Sequence, residues 1–327
     1  VPANLTPQYF EAEKAFRSAK TIEEKIEALE GMLSVMPKHK GTDHLRAELT
    51  AKIARFKEQL ERAPGGARRH GGYHVRREGA GQVALVGLTN SGKSALVASL
   101  TGVSLRIADF PYVTREPSPA MMRYENVQIQ LVDMPAVEYA EARAWLSSVL
   151  RSADLLLVTI DAGPDTLGRF KSTINALHQL RIAIEGDPEP YTGILTAWKK
   201  CLVAATKYDL PDAGERYREL REAYGRWLTV IPVSVLSQTN LDVLRAALYR
   251  ALAVIRVYTK PPGQQASLTN PTILPVGSRV IDVAAAVHKD FVARVRFAQV
   301  WGSAKFPGQK VSKDYVLREG DIVELHV

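Results

Sequence analysis

Apolar positions fall into three regimes along the chain. In residues 1–63 they recur at helical spacing: Ile22, Ile26, Leu29 and Leu33 in TIEEKIEALEGML, then Leu45, Leu49, Ile53, Phe56 and Leu60 in DHLRAELTAKIARFKEQLERA. Thr21 followed by Glu24 forms a capping-box pattern, and Pro37 closes the first run. Joined by PKHKGT, the two runs predict a helical hairpin. Residues 64–80 break the pattern with glycine and arginine and read as a linker. Between residues 81 and 255, short apolar runs alternate with helical ones. VALVG, VQIQLVDMP, LLLVTIDA, CLVAATK and LTVIPVS predict strands, and KSALVASL and NLDVLRAALYRAL predict helices. That alternation implies an α/β domain with a mainly parallel sheet. In residues 256–327, TILPVG, RVRFAQVWG and DIVELHV predict short strands around one helical segment, VIDVAAAVHKDF, in a small α+β module.

Composition changes this picture little. The 327 residues are 46% hydrophobic and 24% charged, as expected of a globular protein with more than one core. The net charge of +8 suits an acidic partner such as RNA or a membrane surface, and equally an ordinary basic protein. The single cysteine, Cys201, excludes a disulfide framework and fits a reducing, cytoplasmic setting. Neither a signal-peptide pattern nor a run of membrane-spanning length is present, so membrane insertion is not expected. Cys201 itself is expected inside a strand, and Trp145, Trp198 and Trp227 in cores or under loops. In the linker, Arg68, Arg69, Arg76 and Arg77 with Tyr73 fit an RNA contact as well as a solvated tether. Lys305, Lys310 and Lys313 pose the same choice near the C-terminus.

The strongest local signal is GLTNSGKS, Gly87 to Ser94, between a predicted strand and a predicted helix. It matches the phosphate-binding pattern G-x-x-x-x-G-K-[ST]. The backbone N–H groups of Gly87, Asn90, Ser91, Gly92, Lys93, Ser94 and Ala95 would wrap an anion at a helix N-terminus. Lys93 would reach the β- and γ-phosphates and Ser94 would bind Mg²⁺. Asp133 ends an apolar strand, placed to hold Mg²⁺ through water.

Three further stretches carry a resemblance. AATKYD, with Thr206, Lys207 and Asp209, resembles the Asn/Thr-Lys-x-Asp motif of GTPases. Its aspartate accepts from guanine N1 and the exocyclic amine, an edge adenine does not present. VSVL resembles the fifth GTPase motif, so Ser234, Val235 and Leu236 would contact the base. ADFPYVTREPSPAMM is similar to the first switch of Obg-type GTPases, with Thr114 closing over Mg²⁺ and the γ-phosphate. Nearly the whole chain resembles the DRG family within the Obg-like GTPases. The C-terminal RVIDVAAAVHKDF and ARVRFAQVWGSAKFPGQKVSKDYVLREGDIVEL look like a TGS domain, a ubiquitin-like β-grasp module. The resemblance implies a P-loop GTPase domain, preceded by a helical hairpin and followed by that module. It also implies bound GTP or GDP, Mg²⁺, and contact with a ribosome, tRNA, rRNA or a regulatory protein.

Departures from the family pattern bear on turnover. Asp-x-Pro-Gly becomes Asp133-Met134-Pro135-Ala136, and the amide that meets the γ-phosphate now belongs to Ala136, whose Cβ restricts the backbone. Val137 stands where a water-orienting glutamine often follows. The inserted domain usual in DRG proteins is lacking, which reads as a compact, prokaryotic-type relative. Hydrolysis is therefore expected to be slow. In similar GTPases an asparagine at the place of Asn90 helps to bind a potassium ion beside the phosphates, though asparagine also simply suits a tight turn. The expected activity is GTP hydrolysis by Lys93, Thr114 and Asn90 with Mg²⁺. A GTP-dependent switch that barely hydrolyses, and an RNA-binding protein with a decayed site, are the alternatives.

Overall fold

Strands of a parallel sheet with helices on both faces are buried on both sides, so their sequences read as continuous apolar runs. The computed structural model, which describes residues 7–19, 22–36, 42–62, 73, 75–103, 116–139, 142–187 and 197–326, shows this directly. A six-stranded sheet is built from β1 (Gln82–Val86), β2 (Ser118–Tyr124), β3 (Val127–Asp133), β4 (Leu155–Asp161), β7 (Cys201–Thr206) and β8 (Val230–Pro232) in the order β2-β3-β1-β4-β7-β8. All neighbours are parallel except the β2–β3 hairpin. Along β1, Val83 and Leu85 face α4 (Lys93–Thr101) and α8 (Leu241–Ala251). Ala84 and Val86 face the opposite core, built with α5 (Arg143–Ser152), α6 (Thr166–Gln179) and α7 (Ala213–Tyr224). A small parallel pair, β5 (Ile182–Ile184) and β6 (Ala197–Lys199), lies beyond α6.

Because β1 is central and its neighbours β3 and β4 leave on opposite sides, the carboxyl end of β1 is the topological switch point. The mainly parallel α/β fold expected from the sequence is therefore present. The hairpin strand β2 was not expected. Its SPAMM start reads as loop because Pro117 precedes it and Pro119 lies within it; the strand sits at a sheet edge, where proline is tolerated.

At the N-terminus, α2 (Ile22–Ser34) and α3 (Asp43–Arg62) match the predicted hairpin, and α1 (Pro7–Ser18) adds a third helix. Tyr9 from α1 joins Ile26, Leu29, Met32, Leu49 and Ile53 in one small core. Arg151 of α5 reaches Glu27 at 3.4 Å and Glu30 at 3.8 Å, so these helices dock on the α/β layer. Thr21 and Pro37, the predicted start and stop signals, lie outside the described residues.

The C-terminal sheet has the order β10-β9-β13-β11-β12, from β9 (Val254–Lys260), β10 (Thr272–Pro275), β11 (Phe297–Trp301), β12 (Gln309–Val311) and β13 (Ile322–His326). Helix α9 (Val280–Val287) buries Val280, Val283 and Ala284 against it. His288, extended at φ −162°, separates α9 from α10 (Lys289–Arg294), so the single predicted helix is two. Trp198 and Trp227 are 59% and 50% exposed, contrary to expectation: both lie outside the apolar clusters, on β6 and in the turn after α7. Trp145 packs beneath Tyr73 at 4.6 Å. Cys201 opens β7 half-buried.

Candidate nucleotide site

The site gathers at the carboxyl ends of β1, β3, β4 and β7. Gly87 leaves β1 into the loop, and a Cβ there would lie 2.5 Å from the Thr159 carbonyl and from Ser91 Oγ. Only glycine fits. The loop turns through Asn90 (φ 60°) and Gly92 (φ 84°), both left-handed, and delivers the chain into α4 at Lys93. Gly102, also left-handed, ends that helix, its N–H donating to the Ala98 carbonyl.

Lys93 folds back over the loop. Its Nζ donates to the carbonyls of Gly87 (3.1 Å) and Leu88 (2.9 Å), and lies 3.4 Å from Ser91 Oγ. Burial pulls its pKa down to about 8, against the opposing pull of Asp133 and Glu138; Arg169 adds to the lowering. Ser94 Oγ donates to Asp133 Oδ2 at 2.6 Å, joining the start of α4 to the end of β3. Both are hard oxygen ligands of the kind that could hold a magnesium ion.

The base motifs converge on the same edge. Thr206 Oγ1 donates to the Ser91 carbonyl at 2.8 Å, so the end of β7 is fastened to the phosphate loop. Asp209 is exposed and accepts from Ser234 Oγ, whose own burial is nearly complete. Ser234 Oγ also receives the Ser237 N–H at 3.1 Å, while Leu236 is 83% exposed at the rim beside half-buried Val235. Lys207 (φ 55°) has its Nζ 3.9 Å from Asp161. Ala95 is half-buried in the first turn of α4. Ala136 is buried outside the left-handed region, so its Cβ is accommodated in this state. Thr114 lies outside the described residues.

Sequence comparison agrees with this geometry. The family described as a 50S ribosome-binding GTPase matches residues 82–195, and the TGS domain matches residues 255–327. A GTP-binding protein of Methanocaldococcus jannaschii is 30% identical over 93% of this chain and 92% of its own. Another from Halobacterium salinarum is 28% identical over 93% of this chain and 98% of its own. The developmentally-regulated GTP-binding protein 1 of Xenopus laevis is 27% identical over 92% of this chain and 98% of its own. The chain belongs to this DRG-like family of GTP-binding GTPases. The alignment with the Methanocaldococcus relative runs over 366 positions, more than the 327 residues of this DRG-like chain, so that relative carries segments this one lacks.

Four residues of this DRG-like site escape sequence reading. Thr159 of β4, wholly buried, pairs with Ser91 Oγ at 2.9 Å. Asp161, at the end of the same strand, sits 3.1 Å from Arg169 of α6 as well as near Lys207. Arg169 also donates to the Thr89 carbonyl at 2.9 Å. Glu138 accepts from both the N–H and the hydroxyl of Thr89, each at 2.7 Å. Only Asp161 carries a sequence signal, as a carboxylate ending an apolar strand, like Asp133.

The expected basic contacts divide. Arg77 is committed to Asp154 at 3.0 Å and to the Ser152 carbonyl. Lys305, Lys310 and Lys313 are exposed. Arg68 and Arg69 lie outside the described residues. Among those described, no helix is long and apolar enough to cross a membrane.

Proposed function

We propose that this protein binds GTP with Mg²⁺ and hydrolyses it to GDP and phosphate, slowly when isolated. The observation that carries this reading is the joining of phosphate and base elements at one sheet edge: Lys93 and Ser94–Asp133 on one side, Thr206–Ser91 and Asp209–Ser234 on the other. A bound nucleotide's phosphates would take over Lys93, which now satisfies itself on loop carbonyls. Asp209 would accept from guanine, with Ser234 fixing its carboxylate, and Lys207 would lie along the base plane, held by Asp161. Magnesium, held by Ser94 and Asp133, with Thr114 joining them from the first switch, would supply positive charge to the phosphates. Phosphoryl transfer asks mainly for positioning and charge neutralisation, which these groups provide. Asn90, exposed at the apex of the loop, is suited to hold a potassium ion beside the phosphates.

Buried Val137 favours a second reading, a GTP-dependent switch with little turnover, because no polar side chain stands there to orient water. We further propose action in the cytoplasm in translation or ribosome-linked regulation, with RNA contacted through the C-terminal module. Residues 255–327 carry ten lysines and arginines against six acidic residues. Such contact weakens steeply with salt.

The deciding experiment is GTP turnover by the purified protein in matched potassium and sodium buffers, with ATP as control. Turnover of GTP alone supports the hydrolase. Tight GTP binding without turnover in either salt selects the switch, and no guanine-nucleotide binding overturns both.

A further inference from the structure

The phosphate loop is not open on the side of Asp133. Glu138 Oε1 takes two hydrogen bonds from Thr89, one from its backbone N–H and one from its hydroxyl, both 2.7 Å. One residue earlier, the Val137 N–H donates to the Gly87 carbonyl at 3.2 Å. The segment after Asp133 is thus seated on the loop at two consecutive residues. Glu138 is also close enough to Lys93 to help retain its proton. Its side chain is exposed, so core packing does not dictate this position. A carboxylate bonded to an N–H of an anion-binding loop, within the field of the loop lysine, is chemically what a phosphate oxygen would be.

We propose that Glu138 is a specificity-determining residue that distinguishes GTP from GDP, by occupying the loop as an internal anion that the γ-phosphate expels. The inference rests on the guanine-nucleotide reading above. Like charges brought to the same loop donors repel, and Thr89 has no second donor pair to offer. Entry of a γ-phosphate therefore releases Glu138 and, with it, Val137 from Gly87. Thr89 itself stays in place, because Arg169, anchored on Asp161, grips its carbonyl from α6. The moving part is a charged side chain and the segment behind it. A freely flipping glycine at position 136 is then unnecessary, which accounts for the alanine found there.

The test compares affinities for GDP and for a non-hydrolysable GTP analogue, both with Mg²⁺, in the wild-type protein and in Glu138→Gln. The amide oxygen keeps the hydrogen bonds from Thr89 and removes only the charge. The ratio of analogue to GDP affinity should rise by roughly tenfold in the variant, a change of about 1.4 kcal/mol. Thr89→Val, which deletes one of the two bonds, should shift the ratio in the same direction by a smaller factor. A ratio within twofold of wild type in Glu138→Gln, or a shift toward GDP, overturns the proposal. Failure of the wild-type protein to bind GDP at all is a separate result, read from the first titration. It sinks the nucleotide reading and this inference with it.

Discussion

The Ser94 hydroxyl and the Asp133 carboxylate meet at 2.6 Å although 39 residues separate them in sequence. The contact ties the first turn of α4 to the last residue of β3, so both oxygens face one point. Asp133→Asn should lower GTP turnover by about 100-fold or more, because the carboxylate that would hold Mg²⁺ beside the phosphates loses its charge. It should also move the Mg²⁺ midpoint for turnover to higher concentration. A magnesium titration of the variant checks this, and an unchanged midpoint refutes the assignment.

Lys93 makes the site sensitive to pH. Its folded pKa of about 8 lies below the ordinary 10.5, chiefly through burial. Between those two values the unfolded chain holds the extra proton, so the nucleotide-free protein should gain stability as pH rises through that window. Binding runs the other way. Phosphate favours the ammonium form, so GDP affinity should fall above about pH 8, by at most about tenfold per unit. Calorimetric titrations in two buffers of different ionisation enthalpy will report proton uptake above pH 8 if Lys93 is responsible.

Gly87 admits no side chain. Gly87→Ala would place a Cβ 2.5 Å from the Thr159 carbonyl, and backbone does not yield cheaply. The expected loss is about 1–3 kcal/mol of folding stability, together with weakened GDP binding. Urea unfolding with and without GDP separates the two effects.

Asn90→Ala should abolish any faster turnover in potassium than in sodium. Equal stimulation in wild type and variant would assign Asn90 to turn geometry alone, for which its φ of 60° already suits it.

Arg256, on β9, fastens the C-terminal sheet to the β2–β3 turn. It pairs with Glu125, bonds Asn126 Oδ1 at 2.9 Å, reaches Glu319 at 2.5 Å, and lies over Tyr249 at 5.3 Å. Both glutamates are substantially exposed, so screening limits the pairs, and Arg256→Ala should cost about 1–2 kcal/mol. Denaturant unfolding should then resolve two transitions, the C-terminal module melting first. A single transition at the wild-type midpoint would show that the Tyr258–Asn126 and Tyr249–Glu319 hydrogen bonds suffice.

How much of this was readable in the chain follows from range. The phosphate loop is eight contiguous residues whose chemistry is local, so it stands out unaided. Asp133 and Thr206 each close an apolar strand and Ser234 follows one by two residues, and parallel topology sends all such ends to one edge. Glu138, Thr159 and Arg169 reach the phosphate loop across 49 to 80 residues, and nothing around them in sequence marks those partners. Strand β2 stayed hidden because an edge position tolerates prolines and charge that a central strand would not. The exposed Trp198 and Trp227 show the limit of reading burial from residue type.

The β2–β3 hairpin has two ends with different neighbours. At one, Ser118 pairs with Asp133 beside the loop lysine; at the other, Glu125 and Asn126 are held by Arg256 and Tyr258 of the C-terminal sheet. Seven paired residues per strand make a stiff rod roughly 20 Å long. Such a rod is a lever arm. A tilt of about five degrees at its nucleotide end would carry its far tip by ~2 Å, so a small change at Asp133 would be felt at Arg256 and Tyr258.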